Sequence, residues 1–400
     1  MIPLDEAQRV VLDACPPLAP VDCDLADAIG LVLAADVVAD EQVPPFDNSA
    51  VDGYAVIAAD VAVAPVTLEI VDEVAAGAAS TTTLLRGQAI RIMTGAPIPQ
   101  GADAVVMVEH AELVDDRTVR LDATAASGAA VRLAGSDVEV GDHVVPAGTV
   151  VSAPVLGTLA SVNACRVRAH PRPSVAVLAT GDELVSDGGP LAPGQIRETN
   201  LRMLVVLLEQ AGCDVTNVGV VADDEAVLET TLRAAASEHD VIVTSGGVSM
   251  GDYDVVKAVL GRIADMRWMQ IAIKPAKPFA FGLLDGVPVF GLPGNPVSAL
   301  VSFELLARPA LRRMMGMQRL MRPSVIAISD DGVERRPDGK VHFQRVVGAF
   351  EEDGRYHVTN VAGQASHQLA ATAMATALAV VPDGDGLPAG SEVAALVLGD

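Results

Sequence analysis

The sequence predicts an α/β multidomain chain: a mostly parallel α/β domain, flanked by a β-rich domain before it and a small β-barrel or sandwich after it. Three observations carry this. The chain has 400 residues, which is more than one compact domain usually holds. From about Val175 to Met314, apolar strand-like runs alternate with helix-like segments, the pattern of a parallel sheet covered on both faces. Before and after that stretch, the apolar runs are short and separated by turn residues.

At the start, Val10, Val11 and Ala14 recur at helix spacing and Pro16-Pro17 stops the pattern. A second helix is expected from Asp22–Asp24 through Leu25, Ile29 and Leu33. From about Val51 to Arg132 the runs VTLEIV, AIRIM, ADAVVMVE and TVRLDA read as strands. The uncharged stretch between Asp142 and Arg166 contains Pro146, Gly148, Pro154, Gly157 and Asn163. Those breakers favour a hairpin and a core segment over a membrane span, and VLGTLASVNAC fits a helix.

In the central region SVAVLAT, CDVTNVGVV and DVIVTS read as strands. Leu201, Leu204, Val205 and Leu208 form one buried helix face, with Thr199 or Asn200 as its cap and Gly212 at its end. Asp223 stands at the N-cap of the next helix. After Arg322, the runs SVIAISD, VHFQRVVG, YHVTNVA, ALAVVP and VAALVL supply the strands of the terminal appendage.

Composition excludes several functions. With 27 Lys and Arg against 52 Asp and Glu, the net charge of −25 argues against a nucleic-acid binder or an anionic membrane surface. Seven Phe, three Tyr and one Trp are too few for base-stacking platforms. Asp5 and Glu6 sit where a signal peptide would be basic, so a cytoplasmic location is expected. Cys15, Cys23, Cys165 and Cys213 form no CxxC pair and are expected as reduced buried thiols.

The chemistry is expected on loops that leave the carboxyl ends of the parallel strands. In TSGGVSMGDYD, Gly246, Gly247 and Gly251 let backbone N–H groups approach an anion beside Ser245 and Ser249. It is not a Walker loop, and a tight strand-to-helix connection explains it equally well. In KPAKP, Lys274 and Lys277 are stiffened by Pro275 and Pro278 and can form a local positive site, although two solvated lysines are the commoner reading. In GLPGNPVSA, Gly294 and Asn295 lie between Pro293 and Pro296, and Pro296 suits the first helical position. Acids fall on loops too: Asp52 before Gly53, Asp182 and Glu183 in TGDEL, Asp223 and Asp224, Asp252 and Asp254. Carboxylates beside a phosphate site suggest Mg²⁺. There is no HExxH, GxGxxG or Ser/His/Asp signature; His110, His143 and His342 read as structural or solvated.

Together the segments PPFDNSAVDGYA, RIMTGAPIPQGADAVV, ATGDEL, GQIRETN, TSGGVSMGDYD, IKPAKPFAFG and GLPGNPVSA resemble the molybdopterin molybdenumtransferase family, the enzyme type also found as the E domain of gephyrin. The resemblance implies four domains: an elongated one from 1–47 and 135–170, a β-rich insertion at 48–134, an α/β molybdopterin-binding domain at 171–320 and a β-barrel at 321–400. It implies a homodimer that inserts molybdate into adenylyl-molybdopterin with release of AMP and use of Mg²⁺. The molybdopterin adenylyltransferase would be a partner; nucleic acid and membrane would not. The implied catalytic residues are Asp52, Thr94, Glu183, Asp223 and Asp254, with Glu183, Asp223 and Asp254 on the metal. Substrate contacts would come from Asp137, Ser245, Gly246, Gly247, Ser249, Lys274, Lys277, Pro293, Pro296 and Ser366. Two departures stand out: Gln270 where relatives often carry Lys, and Ala276 where Gly is usual between the lysines. They give weight to a second reading, a diverged molybdopterin-binding or scaffold protein. An adenylyltransferase is a third, against which the extra domains argue.

Overall fold

A computed structural model describes residues 1–247 and 255–399. The chain forms two compact units, one of residues 22–29 and 35–168, the other of 1–21, 30–34 and 169–400.

The larger unit is organised by a six-stranded sheet in the order Asp214–Val221, Ser174–Thr180, Val241–Ser245, Val287–Leu292, Pro278–Leu284, Asp265–Gln270. The first four run parallel, and Pro278–Leu284 pairs antiparallel with both Val287–Leu292 and Asp265–Gln270. Its four inner strands are apolar and buried on both faces, as a doubly covered sheet requires. Val175, Val177 and Ala179 face one cluster with Leu201, Leu204 and Leu208 of the helix Asn200–Gln210. Ala176 and Leu178 point the other way, against Leu228 and Leu232 of Glu225–Glu238 and Val256, Val259 and Leu260 of Val255–Ile263. Leu204 and Leu208 are fully buried; truncating such a leucine to Ala costs about 2–5 kcal/mol.

From Ser174–Thr180 the chain passes to the neighbour on one side, Asp214–Val221, then crosses to Val241–Ser245 on the other side. This reversal opens a crevice at the carboxyl ends of the strands, where open parallel sheets bind ligands. The loops starting at Gly181 and Gly246 leave from its two walls.

The C-terminal strands Val341–Phe350, Tyr356–Asn360, Ser324–Ser329, Ser391–Val397 and Ala377–Val381 close into a five-stranded barrel, the last pairing back to the first. It is filled by Val346, Val358, Ala379, Val393 and Ala395. The short strand Ile273–Lys274 adds to its edge beside Val341 and His342.

The smaller unit holds a six-stranded mixed sheet, Ala104–Met107, Gly53–Val56, Gln88–Ile92, Val66–Val74, Thr118–Leu121 and Ala111–Asp115 in that order. Alternate residues Tyr54 and Val56, then Ala55, enter clusters on opposite faces.

Several expectations need correction. Residues 22–33 do not form a helix: Val21–Asp24 is a strand, Leu25–Asp27 a single 3-10 turn, and Gly30 takes φ +79°. The Leu25, Ile29, Leu33 spacing was apolar, yet Ile29 is 45% exposed, so no common buried face exists to hold a helix. The expected hairpin after Asp142 is instead one strand, His143–Val145, pairing with the distant Val37–Val38, followed by the helix Ala153–Ser161. Thr199 takes the N-cap position of the helix at 200 but makes no side-chain capping bond; the buried Glu198 carboxylate accepts from the Leu201 N–H at 2.6 Å instead. Asp224, not Asp223, caps the next helix, accepting from Ala226 and Val227 at 2.9 Å. Only Cys15 and Cys213 of the four free thiols are buried. Gly212, with φ +95°, ends its helix as expected. Among the described residues, no helix is long and apolar enough to cross a membrane.

Candidate functional site

In the larger unit, Asn200 ties the end of the strand Val241–Ser245 to the turn that follows Val287–Leu292. It is 7% exposed, and its Nδ2 donates to the Ser245 hydroxyl at 2.8 Å and to the Gly294 carbonyl at 2.7 Å. Gly246 donates to the Leu292 carbonyl at 3.1 Å. Gly246 has φ +94°, and a Cβ there would lie 3.2 Å from the Thr180 carbonyl oxygen, so only glycine fits without displacement. Gly247 is also left-handed, at φ +76°. Ser249, Asp252 and Asp254 lie outside the described residues.

Across the crevice, Asp182 and Asp223 clasp reciprocally: each backbone N–H donates to the other's carboxylate at 3.3 Å. Capping by Asp224 leaves Asp223 to this pairing. The Glu183 carboxylate folds back over Gly181, whose added Cβ would sit 2.7 Å from Oε2. These are hard oxygen donors of the type Mg²⁺ takes. Among the described residues, no three Asp, Glu, His or Cys side chains converge as a metal cage.

The lysines converge elsewhere in the same unit. A cleft of about 400 Å³ is lined by Lys274, Lys277 and Lys340, with Pro293, Gly294, Asn295, Ser298, Gln364 and Ser366 among its other walls. Ile271 donates to the Lys277 carbonyl at 2.8 Å, closing the KPAKP loop. Ala276 takes φ +72° at its apex and is buried. Pro296 is the first helical residue after Asn295, so it sets the turn and does not line the cleft. Ser366 reaches in from the barrel: its Oγ accepts from Asn295 Nδ2 at 3.2 Å and its carbonyl from the Val297 N–H at 3.3 Å. A second cleft of about 830 Å³ shares Lys274, Pro275, Gln364 and Ala365 and is lined by Arg335, Asp338 and His342.

The Ser366 loop is held by Arg345, which is 1% exposed. Its guanidinium donates to the carbonyls of Gly363, Ala365 and Gln368 and to the Thr372 hydroxyl, at 2.7–3.2 Å. Gln364 completes the brace, exchanging bonds with the Arg345 backbone at 2.8 and 3.1 Å.

In the smaller unit, Asp52 and Thr94 are partners. Asp52 Oδ1 accepts from the Thr94 N–H at 2.7 Å and from its hydroxyl at 2.8 Å, and these two bonds hold the carboxyl below its usual range. Gly53 permits the close approach of the neighbouring strand: a Cβ there would collide with the Val106 carbonyl oxygen at 2.1 Å. Asp137 lies on another exposed turn, its N–H donating to the Val43 carbonyl at 2.9 Å.

Sequence reading missed Asn200 as a loop tie, and missed Lys340, Gln364 and Arg345. Only QR in VHFQRVVG hinted at Arg345, as a charge inside an otherwise apolar strand pattern. His342, read as structural or solvated, is 6% exposed and bonded to Asp338.

Comparison with known proteins places these features. Residues 2–163 match the MoeA N-terminal region (domain I and II), 176–313 a probable molybdopterin binding domain, and 334–398 the MoeA C-terminal region (domain IV). The chain is 38% identical over 372 residues to a molybdopterin molybdenumtransferase of Haemophilus influenzae, covering 93% of this chain and 92% of that one. It is 40% identical over 392 residues to molybdopterin molybdenumtransferase 2 of Mycobacterium tuberculosis, with 95% of each covered. The crystal structure of a molybdopterin biosynthesis MoeA protein from Pyrococcus horikosii superposes over the full length of both chains, with a TM-score of 0.83 at 31% identity. On matches that span all three regions, the chain belongs to the MoeA family.

Proposed function

We propose that this chain inserts molybdate into the dithiolene of adenylyl-molybdopterin, releasing AMP and forming molybdenum cofactor. One observation carries the reading: three lysines, Ser298 and Ser366 meet in one cleft beside the Pro293–Asn295 turn, which Asn200 ties to the glycine loop. A tetrahedral dianion needs such a set of ammonium and hydroxyl donors. The crevice between the Gly181 and Gly246 loops is the complementary place for the phosphate end of the pterin, where backbone N–H groups and glycines allow close approach.

Glu183 and Asp223, with Asp254, would hold Mg²⁺, the remaining oxygens coming from substrate phosphates; bound there, the ion neutralises pyrophosphate charge. Asp182 shapes that loop through its clasp with Asp223. Asp52, held ionised by Thr94, would be a catalytic carboxylate, and Asp137 a substrate contact. The domain division stated from the sequence, homodimer formation, a cytoplasmic location and hand-over from the molybdopterin adenylyltransferase belong to the same proposal.

The test is molybdate-dependent AMP release by single variants. Asp52→Ala and Glu183→Ala should abolish it while leaving the circular dichroism spectrum intact. Lys274→Ala and Lys277→Ala should raise the KM for molybdate at least tenfold. Unchanged AMP release in all four variants would reject the site.

A further inference from the structure

Lys340 enters the cleft already paired. It belongs to a turn fixed by Arg335, whose side chain is 2% exposed and donates to Asp383 at 2.6 Å and to Asp338 at 2.9 Å. Asp383 also accepts from the backbone N–H groups of Asp338 and Gly339, at 3.0 and 3.1 Å. Within this turn Lys340 Nζ lies 3.1 Å from Asp338 Oδ2, and His342 Nε2 lies 3.1 and 3.2 Å from the two Asp338 oxygens. Burial works to raise the Asp338 carboxyl, but bonds from His342 and Lys340 outweigh it and hold it at about 2, so it is ionised at neutral pH. Burial pushes His342 down, which keeps it neutral there.

The charge count follows. Three lysines line the cleft, and the Asp338 carboxylate pairs with one of them, so 3 − 1 leaves a charge of +2 toward the ligand. Arg335 is balanced by Asp383. A cleft at +3 would grip a dianion more strongly than one at +2, and a substrate that must be passed on to a dithiolene gains nothing from being trapped.

We propose that Asp338 is the residue that tempers the oxyanion cleft, neutralising Lys340 so that a tetrahedral dianion is held without being trapped. This rests on the reading that the lysine cleft takes the oxyanion. Asp338 pairs with Lys340 and is not among the residues that line the cleft, so it is a positioning and specificity-determining residue.

The variant is Asp338→Asn, which keeps the shape and removes the charge. The probes are molybdate and perchlorate, tetrahedral anions of charge two and one, measured by calorimetric titration on the full chain. Removing a unit charge several ångströms from the ligand should tighten molybdate about tenfold and perchlorate only about threefold, because the Coulomb term scales with ligand charge. The KM for molybdate should fall with it. A purely structural role would weaken both anions by the same factor, and that result, or an unchanged molybdate affinity, overturns the proposal. Should Asp338→Asn lower the melting temperature, Lys340→Gln with and without Asp338→Asn decides: the double variant should bind molybdate more tightly than Lys340→Gln alone, and equal binding overturns the proposal. Wild-type protein that binds neither anion, or Lys274→Ala and Lys277→Ala variants that bind molybdate normally, would instead reject the cleft itself as the oxyanion site.

Discussion

Asn200 donates its side-chain amide to the carbonyl of Gly294, a residue 94 positions later in the chain, at 2.7 Å. The same Nδ2 also serves Ser245. One buried group thereby fixes the start of a helix, the loop after one strand and the turn that leads from a second strand into the helix at Pro296.

Replacing it tests that tie. Asn200→Ala takes this donor from the buried Ser245 hydroxyl and from the Gly294 carbonyl, at a cost of about 2 kcal/mol in urea unfolding. Asn200→Asp, which sets a carboxylate against a carbonyl oxygen, should cost more than Asn200→Ala. Equal stability of all three proteins would show that the loops are held by other contacts.

Arg345 makes the corresponding prediction for the barrel. Arg345→Met should destabilise by about 3 kcal/mol, because four acceptors lose a charged donor inside the protein. Hydrogen exchange should rise selectively at residues 363–368. Uniform exchange across the barrel would mean that Arg345 serves the barrel core and not the Ser366 loop.

Thr94→Val removes one of the two bonds that depress the Asp52 carboxyl and keeps the backbone bond. The Asp52 pKa should then rise toward the ordinary carboxylate range, about 3.9. A depressed carboxyl keeps its charge as pH falls, so the acid limb of the pH–rate profile should move to higher pH in the variant. A limb that stays in place would show that Asp52 ionisation does not govern the rate.

His357 gives a stability prediction in the opposite sense. Its Nδ1 lies 2.7 Å from Asp330 and its Nε2 3.2 Å from Asp353, and these bonds raise its pKa. A raised pKa means that the stabilisation is complete below the unfolded value of about 6.5 and fades as pH climbs through the folded value. Wild type should melt above His357→Gln at about pH 6, with the gap closing as pH rises through the folded value. A gap that widens with pH would reverse the assignment.

The departures seen in the sequence also have consequences. Gln270 ends its strand opposite Pro278, next to the lysine loop. Gln270→Lys should tighten ligand binding or leave activity unchanged, and a large loss would give the glutamine its own role. Ala276 sits at φ +72°, where glycine avoids a side-chain clash worth about 1–2 kcal/mol but loses more chain entropy on folding. Ala276→Gly should therefore shift stability by less than about 1 kcal/mol.

What the sequence revealed followed from range of interaction. The helix at Asn200–Gln210 and the strands around it were legible because their apolar spacing reports a local period, and the glycine and lysine loops because turn chemistry is local too. The 22–33 segment had the spacing of a helix but no partner surface to bury it, which spacing alone does not report. The N-cap shift from Asp223 to Asp224 is a one-residue matter that two adjacent aspartates leave undecided. Asn200, Lys340 and Arg345 were invisible because each acts through contacts that only folding creates: Asn200 with loops 45 and 94 residues away, Lys340 across a strand pairing that brings Ile273 beside Val341, Arg345 inside a barrel loop.

The most direct measurement is AMP release from adenylyl-molybdopterin by the purified chain, with and without molybdate. AMP release should depend on molybdate and be lost in Glu183→Ala. Adenylyl-molybdopterin that is bound yet left intact at saturating molybdate would contradict it.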